Sequence, residues 1–64
     1  MVKVNGIELD IAGKTVLEYL EMTNYDLKQI AVECNNEIVI KAQYDFTVLK
    51  EGDSLEIVSF VGGG

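Results

Sequence analysis

Only one stretch of this chain repeats its apolar residues at helical spacing. Val16, Leu17 and Leu20 follow Thr15 and Glu18, a T-x-x-E pair. In such a capping box each side chain accepts from a backbone N–H that the helix start leaves free. Thr23-Asn24 continues a helix poorly, so the helix is expected to end near Met22. The other apolar segments alternate at period two, the spacing of a strand with one buried face. A single helix can cover only one face of a sheet. That narrows the fold to an α+β domain in which a mixed sheet of four to five strands packs on one helix.

The strands are read from their turns. Val2-Lys3-Val4 and Ile7-Glu8-Leu9-Asp10-Ile11 flank Asn5-Gly6, a pair suited to a type I′ turn because both positions accept positive φ. This predicts an N-terminal hairpin with Val2 and Val4 on one face and Ile7, Leu9 and Ile11 sharing a face. Gly13-Lys14 breaks that pattern before the helix. Tyr25 and Leu27 are expected to pack beneath a loop leading to a third strand, Ile30–Cys34. Asn35-Asn36 turns the chain into a fourth strand over residues 37–40. Residues 41–46 read as irregular, with Tyr44 and Phe46 sealing one end of the core. Glu51-Gly52-Asp53 makes a turn into a last strand over residues 55–60. The first and last strands are expected side by side at the sheet centre.

Composition excludes most chemistry. Sixty-four residues make one domain at most, burying only about 60% of the extended surface, with little room for an active-site cleft. There is no His and one Cys, Cys34. A zinc site is therefore not expected, and Ser–His or Cys–His nucleophile pairs are excluded. Five Lys and eleven acidic residues give a net charge of −6. That sign opposes nucleic acid and anionic membranes and favours a basic protein surface as partner. No segment reads as a signal peptide or a membrane span, so the expected location is cytoplasmic. Cys34, on an apolar strand, reads as an inert packed thiol rather than a sulfur relay.

The sequence closes on Gly62-Gly63-Gly64, directly after the last strand. Three residues could project roughly 10 Å from the fold, and glycine passes where a Cβ would not. Two readings stay open on the tail alone: a frayed end, or a narrow flexible stalk that delivers the Gly64 carboxylate into a partner's active site. The domain is accordingly drawn as residues 1–61 and the tail as 62–64.

With these elements in this order, the chain resembles the β-grasp, ubiquitin-like sulfur carriers of the ThiS family of thiamine biosynthesis. The resemblance rests on Val4-Asn5-Gly6, the run from Thr15 to Leu20, the run from Ile30 to Val39, and the stretch from Leu49 to Val58 leading into Val61-Gly62-Gly63-Gly64. It implies a carrier rather than an enzyme, with no bound cofactor. A ThiF-type enzyme would use ATP to adenylate the Gly64 carboxylate. Sulfur from a cysteine desulfurase would displace AMP to leave a thiocarboxylate, and thiazole synthase (ThiG) would take that sulfur. The essential glycine pair of the family falls on Gly63 and Gly64, with Gly62 as an extra stalk residue.

If Leu55 and Ile57 face the helix, Val58 and Phe60 are exposed beside the tail and, with Val61, form the expected docking surface for a partner. Glu33, Glu56, Asp45 and Asp53 are candidates for steering toward a basic partner. Two alternatives accompany this reading: a carrier like the small subunit of molybdopterin synthase, and a β-grasp interaction module with no chemistry at its tail.

Overall fold

The computed structural model describes residues 1–60; Val61 and the glycines Gly62–Gly64 lie outside the described residues. Five strands form one sheet: β1 Val2–Val4, β2 Ile7–Leu9, β3 Ile30–Cys34, β4 Glu37–Val39 and β5 Ser54–Ser59. The helix α1, Val16–Glu21, lies between β2 and β3 in sequence. The sheet order is β2-β1-β5-β3-β4. β1 and β5 run parallel at its middle, and the other pairs are antiparallel. This crossing of first and last strands, with one helix on one face, is the β-grasp arrangement.

Local chemistry fixes the turns. Asn5 and Gly6 have φ of 50° and 87°, as a type I′ turn requires. Asn35 and Asn36 have φ of 53° and 69° and reverse β3 into β4 in the same way. The capping box is present: the Glu18 N–H donates to Thr15 Oγ1 at 3.0 Å, and the Thr15 N–H donates to Glu18 Oε1 at 2.8 Å. The next free donors of the helix start are met by a distant loop. Val16 N–H donates to the Thr47 carbonyl and Leu17 N–H to the Tyr44 carbonyl, both at 2.9 Å. A helix of six residues is too short to persist alone. Its first turn is held by that loop, and its inner face by the core.

The inner face of the sheet supplies Val2 and Val4 from β1, Ile30 and Val32 from β3, and Leu55 and Ile57 from β5. The helix answers with Val16, Tyr19 and Leu20, and the connections close the core with Ile11, Tyr44 and Leu49. Burial raises the pKa of the Tyr19 and Tyr44 phenols above their ordinary value. No buried side-chain polar atom among the described residues lacks a partner.

Several expectations are corrected. Phe46 does not seal the core; it is 73% exposed. Residues 41–43 form a 3₁₀ turn, and the N–H groups of Tyr44, Phe46 and Thr47 continue it back to Lys41 and Gln43. In such a coiled segment residues two apart point to different sides, so Tyr44 turns inward and Phe46 outward. Ile7 stands opposite the buried Val4 yet is exposed, beside the hairpin turn on an edge strand. The buried helical stripe is Val16, Tyr19 and Leu20, with Leu17 half-buried beside it. β4 ends at Val39, and Ile40 instead precedes the 3₁₀ turn. β5 begins at Ser54 and ends at Ser59, one residue earlier at each end than the sequence pattern indicates. Leu27–Gln29, expected as loop, is a second 3₁₀ turn capped by the Asp26 carboxylate.

Candidate docking and transfer site

The expected site gathers where β5 leaves the sheet. Alternation along β5 sorts its side chains into two sets. Leu55 and Ile57 are buried, whereas Val58 is 55% exposed and Phe60, just past the strand, 61% exposed. Val58 and Phe60 therefore reach solvent on the face away from the helix, as the pattern predicts. Val61, Gly62, Gly63 and Gly64 follow beyond the described residues.

Two asparagines fix the path of β5 from either side. Asn35, at the β3–β4 turn, grips its start: Ser54 N–H donates to Asn35 Oδ1, and Asn35 Nδ2 donates to Asp53 Oδ1, both at 3.0 Å. Lys50 N–H donates to the other Asp53 oxygen at 2.8 Å. The Asn35 side chain first, then this backbone donor, hold the Asp53 carboxyl below its ordinary pKa. Asn5, at the β1–β2 turn, grips the strand further on. Ile57 N–H donates to Asn5 Oδ1 at 2.8 Å, and Asn5 Nδ2 donates to the Ile57 carbonyl at 3.2 Å. β1 pairs directly with β5 only at Ser54 and Leu55, so the Asn5 amide takes the place of a further strand residue. On the opposite side β3 pairs with β5 as far as Ser59, and Phe60 N–H donates to the Gln29 carbonyl at 2.7 Å. The segment entering the tail is thus held by backbone hydrogen bonds to its last described residue.

Sequence reading found Asn5 as a turn former only. Nothing local marks its second role, since its partner lies 52 residues away. Ile38 was also missed as a surface residue. It is 73% exposed and shares the outer sheet face with Val58, because its neighbour Val39 packs inward.

The four acidic candidates do not form one group. Glu33 and Glu56 are directly opposed across β3 and β5. Asp53 is engaged at the start of β5, and Asp45 lies in the exposed turn after Tyr44. Cys34 is half-buried rather than fully buried, in an open cleft that Asn35, Val48, Lys50 and Asp53 also line. Burial first, then the nearby Asp53 and Glu37 carboxylates, raise the thiol's pKa. A thiol so shifted is held as the weakly nucleophilic neutral form. Among the described residues no cluster of three or more His, Cys, Asp or Glu could hold a metal ion, and no helix is long and apolar enough to cross a membrane.

Known proteins share this chain's sequence and shape. The ThiS family model matches residues 2–64. The sulfur carrier protein ThiS of Thermus thermophilus is 36% identical over 64 residues, spanning all of both chains. A thiazole synthase of Paramagnetospirillum magneticum is 44% identical over 62 residues, which are 95% of this chain but only 19% of that protein. The crystal structure of the thiamine biosynthesis protein ThiS from Geobacter metallireducens superposes with a TM-score of 0.79 at 33% identity, covering 98% of this chain and 97% of that one. The chain belongs to the ThiS family of sulfur carrier proteins.

Proposed function

We propose that this chain carries sulfur for thiazole formation in thiamine biosynthesis, on a thiocarboxylate made at Gly64. The observation that carries the proposal is the family match through residue 64, together with similarity to the Thermus thermophilus sulfur carrier over its full length. A carboxylate resists attack by sulfur because its charge is delocalised and oxide is a poor leaving group. Attack of the Gly64 carboxylate on the α-phosphorus of ATP, in a ThiF-type enzyme, would expel pyrophosphate and install AMP as a better one. The outer sulfur of a persulfide formed by a cysteine desulfurase would then add at the carbonyl carbon and expel AMP, and a second thiol would reduce the resulting acyl disulfide, leaving the thiocarboxylate and a disulfide.

The chain itself needs no acid, base or metal for these steps; its parts are presentation and docking. Phe60, held through its backbone N–H to the Gln29 carbonyl just before β3, fixes where the last residues start, and Val58 and Phe60 offer apolar surface beside them. Thiazole synthase as the sulfur acceptor draws support from the Paramagnetospirillum magneticum protein of that name, in which a stretch like this chain makes up about a fifth of the length. A cytoplasmic location is proposed with the rest, since the chain would work among ATP-dependent partners.

The test is intact mass followed by C-terminal fragmentation, after incubation with ATP, a ThiF-type enzyme and a cysteine desulfurase. The expected result is one oxygen replaced by sulfur at Gly64. Fragmentation is essential because oxidation of Met1, Met22 or Cys34 gives nearly the same intact mass. Deleting Gly63 and Gly64 withdraws the carboxylate by roughly 7 Å and is expected to abolish the product. An unmodified Gly64, with the enzyme competent on its own carrier, would leave an interaction module as the better reading.

A further inference from the structure

The outer face of the sheet carries an arrangement that folding alone does not favour. Glu33 on β3 and Glu56 on β5 are direct cross-strand partners, and both are exposed. Directly opposed side chains have Cβ atoms about 4.5–5.5 Å apart, and like charges so placed destabilise a sheet. Among the described residues no cation is paired with either of them. Lys3, on the same face, stands opposite Glu8 on one side and Ser54 on the other. The only ion pair among the described residues joins the Met1 ammonium to Glu51.

The surroundings of this pair are apolar. Ile38 is the partner of Glu33 on the far side, so Ile38, Glu33 and Glu56 form one row across the face. In the next row Val58 is paired with Ala31, and Phe60 follows beyond it, joined through its N–H to the Gln29 carbonyl. Ile38, Val58 and Phe60 are all more than half exposed. Two uncompensated carboxylates thus lie against an apolar border that runs to the root of the glycine tail.

We propose that this face docks a protein surface presenting an arginine ringed by apolar side chains, with the guanidinium shared by Glu33 and Glu56. The inference rests on the carrier reading above and adds the chemistry by which the activating partner is recognised. A guanidinium has five donors in a planar fork and can serve two carboxylates. Its modest hydration suits it to a site closed off by Ile38, Val58 and Phe60, and Arg among aromatic and apolar residues is the common make-up of an interface centre. The charge fits as well: a chain of net charge −6 approaches a basic surface faster than a neutral one. In the free protein the pair is a small liability to the fold; in the complex the same pair is neutralised. Such a trade is expected of residues kept for binding.

The experiment is association of the full chain with a purified ThiF-type enzyme at two salt concentrations, for wild type, Glu33→Gln/Glu56→Gln, Glu33→Lys and the control Glu21→Gln/Glu51→Gln. The control removes the same charge from positions off this face. The expected result is at least a tenfold loss of affinity and a flatter salt dependence for Glu33→Gln/Glu56→Gln, with an unchanged or raised melting temperature. Glu33→Lys is expected to keep or raise the melting temperature, since it sets unlike charges opposite each other, and to weaken binding further. Affinity within twofold of wild type for the Gln pair, or an equal loss in the control, would overturn the proposal while leaving the carrier reading intact. Absence of sulfur at Gly64 in the wild type, with no binding, would overturn both.

Discussion

The two faces of β5 have opposite environments. Leu55 and Ile57 are 0% and 6% exposed and touch the core; Glu56, Val58 and Phe60 alternate with them and stand in solvent. The strand lies at the centre of the sheet, where both its edges are paired, so the difference owes nothing to edge position. It comes from the single helix, which covers one face and leaves the other. Among the described residues there is one sheet and no second lobe. The pleat lets six residues stabilise the fold on one side and present exposed acidic and apolar side chains on the other.

Substitutions along and beside β5 can break that contrast. The largest stability effect is expected at Leu55, which is fully buried between the helix and the sheet. Leu55→Ala should cost about 2–5 kcal/mol. A chain of this length has only roughly 3–10 kcal/mol of stability, so urea unfolding should show much of the protein unfolded or nearly so. A cost below about 1 kcal/mol would mean that the inner face is not the tightly packed one.

Asn5→Gly is the intermediate case. Glycine keeps the positive φ of the turn and removes only the amide that pairs with Ile57. Two hydrogen bonds lost to solvent should cost roughly 1–2 kcal/mol, read as a lower urea midpoint at constant m-value. No change would show that β5 is held at Ile57 by β3 alone.

The smallest stability effect is expected at Phe60. Phe60→Ala should leave the unfolding midpoint within about 0.5 kcal/mol of wild type, while weakening association with a ThiF-type enzyme about tenfold or more. Loss of stability matching the inner-face variant would erase the contrast and make Phe60 a core residue.

Most of the architecture was legible because its signals are local. Asn5-Gly6 and Asn35-Asn36 can turn the chain at positive φ whatever surrounds them, and Thr15 with Glu18 caps a helix from within four residues. The boundaries of β3 were read to the residue, since a period-two run bounded by a turn leaves little choice. The misreadings lie where direction depends on tertiary geometry. Tyr44 and Phe46 look alike as aromatics two apart, and only the 3₁₀ turn before them decides that one is buried and the other exposed. The pattern reads Ile7 only as sharing a face with Leu9 and Ile11, and tertiary structure decides that Ile7 is exposed while Ile11 is buried. At the candidate site, the outward Val58 and Phe60 followed from alternation. Ile38 and the Glu33–Glu56 opposition did not, because they need the register between strands.

The sequence by itself determined the turns, the cap, the strand alternation and the glycine end, all set by steric and hydrogen-bonding preferences within a few residues. Tertiary structure alone decided which strands are neighbours, that the Asn5 amide would meet Ile57 across 52 residues, and that two glutamates would face each other beside an apolar border. These are pairings between distant segments. Their register is selected by the burial of the whole inner face at once, and no short stretch of sequence carries that information.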